Sequence, residues 1–577
     1  MIAVALFVSN IFFWRESGYF TPAADEKPLL HTWSLGIEEQ FYVVFPVLMI
    51  LLWRFGQRTI VFLLFLSAIP SFLLAQFGSY LRPEAAFYLI FSRSWELAIG
   101  AITAMYMVRP IKIARPLCEL FSFAGLFLIL YAVFFYNAKT PFPGAYALAP
   151  TVGTALIILF ANPTTLVGKA LSLKVFVGVG LISYSAYLWH QPIFAFYRIL
   201  YVDQAPVGLL FALILICFLL AYLTWLLVEK PVRYKLPRAM LLPGAAFASV
   251  LVIGAGALLA SGSVGRTFTA VQIAQMSPIN GNRQLELEKC PSAASLYNFE
   301  VCSRHPELQT KAVLYGDSHA RAIYSGLSDA LAASGIDLML LRNEENIQFD
   351  CEPMLGSFRY GRFAPQMKAW CAERTLEIAR IANRLGADYL FVSLRYTFRL
   401  YPATGMIESL DYDNGEGGVG DENYREYFVL DADGSASVSP VDKLAATSAA
   451  FKSLIDEFNG RVAFIGPVPE VGWRVENLNR SSILLFGAVE QTISTDYERF
   501  KVRNRLANDI LQSVAEYGRA IIIQPADLFC NRFLPDRCVA QVNAVPLYTD
   551  DDHLSLEGAK LLAAHIVDEL KEKKAWR

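Results

Sequence analysis

Two short stretches carry residue types that could do covalent chemistry together. The first is Gly316-Asp317-Ser318-His319, which ends the apolar run Ala312–Tyr315 and leads into a helix-like segment from Ala320. A strand that stops in a glycine turn and passes into a helix sets a side chain at the carboxyl edge of a sheet, where open α/β sheets bind ligands. The amino end of that helix can stabilise an oxyanion, with the Ser318 N–H as one donor. The second stretch is Asp550-Asp551-Asp552-His553, ahead of a final helical run. A serine becomes a nucleophile when an imidazole takes its proton and a carboxylate fixes the imidazole tautomer. Ser318 is the candidate nucleophile, His553 the candidate base and Asp550 its orienting carboxylate. Asp551 and Asp552 are alternatives for the last role, and the three-residue spacing favours Asp550.

The elements that must position these residues read as an alternating pattern. Short β-type runs at Ala312–Tyr315, Leu338–Leu341, Tyr389–Leu394, Val462–Ile465 and Ala520–Ile523 are separated by helical segments. The helices are expected near Arg321–Ala333, Gln366–Leu385, Val441–Phe458, Asp496–Tyr517 and Glu557–Glu572. Continuous apolar strands between helices predict a parallel, doubly wound sheet. Tyr427–Ser439, with Asp433-Gly434 at its centre, predicts an inserted hairpin.

The whole chain is too apolar for that domain alone. Of 577 residues 55% are hydrophobic and 18% charged, and the apolar excess lies before about Ser261. Spans are expected at Phe41–Trp53, Thr59–Phe77, Ala86–Met107, Leu117–Tyr136, Tyr146–Ala161, Val175–Ile199, Val207–Val228 and Met240–Ser261. Ile2–Trp14 reads as the remainder of a helix cut at its amino end. The loops set the orientation: one alternate set carries eleven Lys and Arg residues and the other four. The basic set is expected in the cytoplasm, which sends everything beyond Ser261 outside. Cysteines argue the same way. Cys290, Cys302, Cys351, Cys371, Cys530 and Cys538 all fall after the apolar half, and the simplest pairing is 290–302, 351–371 and 530–538. An even set points to an oxidising compartment, and no spacing suits a metal site. A net charge of −2 gives no sign of nucleic-acid binding.

Polar residues inside the spans are functional candidates. Arg93 and Glu96 share a helix face; with Glu38 and His190 they are expected in the outer half of the bilayer, lining a polar cavity. Four stretches here, Trp33–Tyr42, Ser92–Gly100, Ser183–His190 and Val228–Arg233, resemble the membrane motifs of acyltransferase family 3. The resemblance implies O-acetylation of an extracytoplasmic glycan, lipopolysaccharide O-antigen foremost, with a cytoplasmic acyl-CoA (acetyl-CoA) as donor and no bound cofactor. It also implies that Glu38, Arg93, Glu96 and His190 belong to the acyl path. That family begins with further spans bearing an early His and an Arg-Arg motif, so an amino-terminally truncated membrane domain is expected.

Gly316–His319 and Asp550-x-x-His553, with Cys351-Glu352-Pro353 between them, resemble the SGNH hydrolase-like domains fused to that family. Free-standing SGNH hydrolases add oxyanion donors from a Gly-x-Asn-Asp block; here that edge reads Ser393-Leu394-Arg395-Tyr396, making Arg395 a candidate oxyanion or substrate contact. The expected architecture is a multi-span helical membrane bundle over residues 1–262, a periplasmic extension over 263–310, and an α/β flavodoxin-like SGNH domain with a parallel sheet over 311–577. The expected place is a bacterial inner membrane with the carboxy-terminal domain in the periplasm, the partners being the bilayer and a glycan acceptor. A membrane-tethered esterase and a non-catalytic glycan-binding protein are the alternatives.

Overall fold

Two sequence regimes, one apolar throughout and one alternating, give two folded bodies: Met1–Thr267 and Phe268–Arg577. The computed structural model describes residues 1–17, 26–108, 113–137, 140–200, 206–234, 236–261, 268–278, 294–296, 299–343, 351–352, 357–358, 364–400, 429–430, 435–518 and 520–573.

The first body is helical. Among the described residues, five helices are long and apolar enough to cross a membrane: Thr32–Phe55, Gln57–Leu81, Pro83–Val108, Arg115–Phe135 and Val207–Tyr234. Ala145–Phe160 and Pro243–Leu259 are shorter apolar helices. Lys174–Leu200 is long, but it carries the polar run Ser183–Gln191. Outward faces crowded with Phe, Leu and Val, such as Phe62, Phe65 and Phe77, suit a lipid solvent. Helix contacts then rely on small residues. A Cβ on Gly125 would lie 2.6 Å from the Gly153 carbonyl oxygen, so these two helices meet backbone to backbone. Two expectations are corrected. Ile2–Trp14 is not one helix but two short ones, Ile2–Ala5 and Ser9–Arg15, because Phe7 takes a left-handed conformation (φ 57°). The helix expected over Phe41–Trp53 already starts at Thr32, which places Glu38 and Glu39 inside it.

The second body is built on a seven-stranded sheet. Its strands are β1 (Ala294–Leu296), β2 (Phe299–Ser303), β3 (Thr310–Gly316), β4 (Ile336–Asn343), β5 (Ala387–Ser393), β6 (Arg461–Ile465) and β7 (Ala520–Ile523), in the spatial order β1-β2-β4-β3-β5-β6-β7. The last five are mutually parallel, and the hairpin β1–β2 adds antiparallel to the β4 edge. The parallel order 2-1-3-4-5 is the flavodoxin-like one, with its switch point beside β3. The stretch after Phe268 therefore joins this body, and supplies a capped helix (Ala270–Met276) and two edge strands.

Alternation along each strand divides the core. Ala312 and Leu314 face a layer made by α1 (Ser318–Ala332), α4 (Val475–Phe486) and α6 (Leu556–Glu572). Val313 and Tyr315 face α2 (Ala364–Arg384), α3 (Pro440–Glu457) and α5 (Arg505–Ala515). The inserted hairpin is present, as Val429–Leu430 paired with Ala436–Ser437. The single helix expected over Asp496–Tyr517 is broken into Tyr497–Arg503 and α5. The buried Asn504 between them donates its side-chain N–H to the Phe500 carbonyl at 3.0 Å and so competes with the helical ladder. A small antiparallel sheet, Ile493–Asp496 with Arg537–Val542 and Val545–Pro546, was not foreseen.

Candidate active site

Two glycines bring the chemical residues to one place. Gly316 ends β3 against the end of β5, and a Cβ there would sit 1.8 Å from the Ser393 carbonyl oxygen. Only glycine lets the two strand ends close. Gly326 lies where α1 crosses α6; its Cβ would come within 2.9 Å of the Ala559 and Lys560 backbone. The helix that begins at Ser318 and the helix that follows His553 therefore pack at short range.

Asp317 caps α1, its Oδ1 accepting the His319 N–H at 2.9 Å, while Oδ2 accepts the Arg395 N–H at 2.8 Å. Ser318 is half-buried as the first residue of α1. His553 is buried. Its Nδ1 lies 2.9 Å from Asp550 Oδ2 and 2.8 Å from Asp552 Oδ1. Asp550 also accepts the His553 N–H at 2.7 Å. Nδ1 thus faces carboxylates and carries the proton, which leaves Nε2 for exchange with a nucleophile. The His319 ring stands 5.1 Å from the His553 ring, centroid to centroid, and its Nε2 is 3.2 Å from Asp552 Oδ2. Ser318 is thus held between two neighbours, Asp317 and His319, that are both tied to the His553 group.

Arg395, the expected oxyanion or substrate contact, lies among buried carboxylates. Its Nη1 is 2.9 Å from Asp552 Oδ2 and its Nε 2.7 Å from Glu470 Oε1. Two of its nitrogens thus bridge two buried carboxylates. Arg503 Nε meets Glu470 Oε2 at 2.6 Å, and Thr397 donates to Glu470 Oε1 at 3.0 Å. Sequence reasoning missed Glu470 and Arg503. A signal existed for the first: Glu470 comes just past β6, at the same carboxyl edge as Ser318. Arg503 had none, because only the break at Asn504 ends its helix there.

The electrostatics follow from burial against pairing. Burial opposes the charged form of Asp552, but Arg395 and His553 outweigh it and hold its carboxyl well below the usual range. Burial likewise disfavours charge on His553, yet Asp550 and Asp552 prevail and raise it well above an ordinary histidine. Glu470 is brought down to about 2, Arg503 and Arg395 overcoming its burial. His319, Asp552 and His553 place three ligand-type atoms within 4.8 Å of one another. With Arg395 2.9 Å from Asp552, the cluster already contains its cation.

In the helical body, the expected polar residues gather around His31–Ser34. Arg93 pairs with Glu96 at 2.8 Å and lies over the rings of Trp33, Phe87 and Phe142 at 5.2, 5.6 and 5.1 Å. On the other side, Ser34 Oγ is 2.7 Å from the Tyr187 hydroxyl, which also donates to the His31 carbonyl. The His31 and His190 rings are 5.4 Å apart. Glu38 is half-buried on the same helix as Ser34. Of the six cysteines, Cys530 and Cys538 form a disulfide. Cys302 is also disulfide-bonded; Cys290, and the side chains of Cys351 and Cys371, lie outside the described residues. Cys118 and Cys217 are free and buried.

Residues 1–227 match the acyltransferase domain family, and residues 289–568 match the SGNH domain that is fused to such domains. The O-acetyltransferase OatA of Staphylococcus aureus is 31% identical over 249 residues, 41% of this chain and 41% of that protein. BcsY of Komagataeibacter xylinus, named as a membrane-bound transacylase, is 31% identical over 261 residues, covering 44% of this chain and 65% of its own length. The chain thus spans about two fifths of OatA and about two thirds of BcsY. The periplasmic domain of a lipopolysaccharide acetyltransferase from Salmonella ser. Paratyphi A aligns over 46% of this chain and 84% of that one, at 14% identity. Its TM-score of 0.27 is too low to inform the fold. With both family matches in order along one polypeptide, the chain belongs to the acyltransferase 3 family with a fused SGNH domain.

Proposed function

We propose that this protein is a membrane O-acyltransferase that moves an acyl group, acetyl foremost, from an acyl-CoA on one side of a bacterial inner membrane to hydroxyls of a glycan on the other. The observation that carries the reading is His553, held through Nδ1 by a carboxylate 2.9 Å away, in the same cluster as the Gly-Asp-Ser turn. Ser318 Oγ attacks the acyl carbonyl as His553 Nε2 takes its proton, and the Ser318 N–H at the start of α1 donates to the oxyanion. Collapse expels the carrier group that the helical body acylates from the acyl-CoA, and that group receives the proton from His553. The Ser318 ester is then attacked by a sugar hydroxyl whose proton passes to His553, and Ser318 is regenerated.

The helical body, with Glu38, Arg93, Glu96 and His190, supplies the acyl group. Eleven basic residues against four support an outside location for the second body, as does the Cys530–Cys538 disulfide. The acceptor is a glycan of the cell envelope, lipopolysaccharide O-antigen first and peptidoglycan second.

The test uses the full chain in detergent with p-nitrophenyl acetate and either glycan as acceptor. Mass spectrometry is expected to find an acetyl group on the Ser318 peptide and acetylated sugar in the product. Ser318→Ala is expected to abolish both. Undiminished transfer by Ser318→Ala would remove the assignment, and free acetate as the sole product would make the protein an esterase.

A further inference from the structure

Four segments meet around the catalytic group: the turn after β3, the loop after β5, the loop after β6 and the terminal loop of His553. Besides histidine, they carry the aromatic residues Tyr396, Trp473 and Tyr548. Tyr396 and Tyr548 are 1% and 0% exposed and serve the packing. Trp473 is only partly buried; it rests against the core layer that contains Val471 and Val475 and keeps the rest of its surface open. Its Nε1 is also open, with no partner among the described residues. A single exposed aromatic on a mobile loop would need no explanation. This one is on a loop that is pinned on both sides. Three residues before it, Glu470 is held by Arg395 at 2.7 Å and Arg503 at 2.6 Å. Val471 N–H donates to the Asp551 carbonyl at 2.8 Å, Gly472 makes a left-handed turn (φ 69°), and Glu476 N–H donates to the Thr549 carbonyl at 3.0 Å. Trp473 therefore stands between two ties to the segment that carries His553.

We propose that Trp473 is the platform for one pyranose unit of the acyl acceptor, its ring covering the apolar C–H face of the sugar and its Nε1 donating to a sugar oxygen. The proposal rests on the acyl-Ser318 reading above and deepens it, naming what favours a sugar over water. A pyranose is apolar on its faces and hydroxylated at its rim. An indole has the matching shape, a broad apolar face with one polar edge. Because the loop is fixed before the ligand arrives, little ordering has to accompany binding. A sugar lying on the ring also keeps water from the acyl-serine. Its hydroxyl oxygen bonds to the acyl carbonyl carbon, the bond from that carbon to Ser318 Oγ breaks, and the proton passes from the hydroxyl to His553 Nε2 and on to Ser318 Oγ. Trp473 carries no proton in this sequence, so it acts on which acceptor wins and not on how the acyl-serine forms.

The test uses the detergent-purified full chain with p-nitrophenyl acetate as donor. O-polysaccharide released from lipopolysaccharide is one acceptor probe and chitotetraose a second. Acetylated sugar and free acetate are measured side by side over a range of probe concentrations. Trp473→Leu keeps apolar contact with the core and removes the ring. It is expected to lower kcat/KM for transfer about 10-fold more than it lowers hydrolysis, chiefly through the KM of the sugar. Trp473→Phe restores a ring and is expected to bring the ratio of transfer to hydrolysis back within about 3-fold of wild type. The emission difference between wild type and Trp473→Phe is expected to move to shorter wavelength when either probe is added, and this decides the matter should Trp473→Leu fail to fold. Equal losses of transfer and hydrolysis would mean that Trp473 only supports the His553 loop. An unchanged ratio together with an unmoved emission difference would mean that no sugar rests on it. A change confined to the KM of p-nitrophenyl acetate would assign the ring to the donor. Each of these overturns the proposal. Failure of the underlying reading has a different signature: Ser318→Ala retains wild-type turnover, or the wild type acetylates neither probe.

Discussion

Replacing Arg395 by methionine removes one charge from a buried cluster and keeps most of the aliphatic bulk. In the native protein the guanidinium lies 2.9 Å from Asp552 and 2.7 Å from Glu470, and both carboxylates are buried. After the change Glu470 keeps Arg503 at 2.6 Å, whereas Asp552 keeps, among the described residues, the two imidazoles as its side-chain partners. Breaking a buried pair from one side costs about 3–5 kcal/mol, because the remaining charge is uncompensated. For a body of this size each kcal/mol lowers the melting temperature by roughly 2 °C, so a fall of about 6–10 °C is expected. Amide hydrogen exchange in peptides covering β6 and the Tyr548–Ser555 loop reports on this body without the helical one. Glu470→Met and the double variant complete a cycle whose interaction free energy should exceed about 1 kcal/mol, the ceiling for exposed pairs. If Arg395→Met loses less than about 1 kcal/mol and the cycle closes additively, the guanidinium is not compensating these carboxylates and the electrostatic account of the site is wrong.

Glu470 gives a pH test. Its folded value of about 2 lies below the 4.5 of a free side chain, so its ionised form contributes on the order of 3 kcal/mol. That contribution is present in full above about pH 5 and is lost as pH falls towards 2; the stability gap between wild type and Glu470→Gln should narrow over that window. A constant gap would refute the pairing. Reduction or Cys→Ala replacement at Cys530 and Cys538, eight residues apart, is expected to cost about 2–3 kcal/mol by freeing a short loop in the unfolded chain. Urea unfolding with and without reductant reads it, and no change in midpoint would count against the bond. Gly326→Val should separate α1 from α6 and cost about 1–3 kcal/mol or more; acyl-serine formation should fall with it, and normal activity would show that the crossing does not position Ser318.

How much was legible varied by the kind of signal. The five parallel strands were, since β3 to β7 are apolar runs of four to eight residues bounded by turns, and a strand buried on both faces has no other way to look. The β1–β2 hairpin was not: its residues read as a polar extension without strands, and it forms because the open edge of β4 is there to receive it. The break at Asn504 was illegible for a related reason, as a lone Asn in a helical pattern breaks the helix only when the surrounding packing holds it so.

At the site, the sequence by itself determined which residues could do chemistry. Ser318 had to follow the glycine that lets β3 close on β5, and His553 had to come with a carboxylate nearby in a loop ahead of the last helix. It also determined that an apolar helical body precedes the domain, because no soluble fold could hide that much apolar surface. It did not decide that Asp552 also reaches His553, nor which carboxylates Arg395 meets. Spacing brings Asp550 to His553 through a turn; Asp552 is buried beside the same imidazole because Arg395, Glu470 and Arg503 come from three segments that only folding assembles. Local sequence reports a residue's reach along its own chain, whereas the strength of a charge depends on what the rest of the chain removes from around it, which is water.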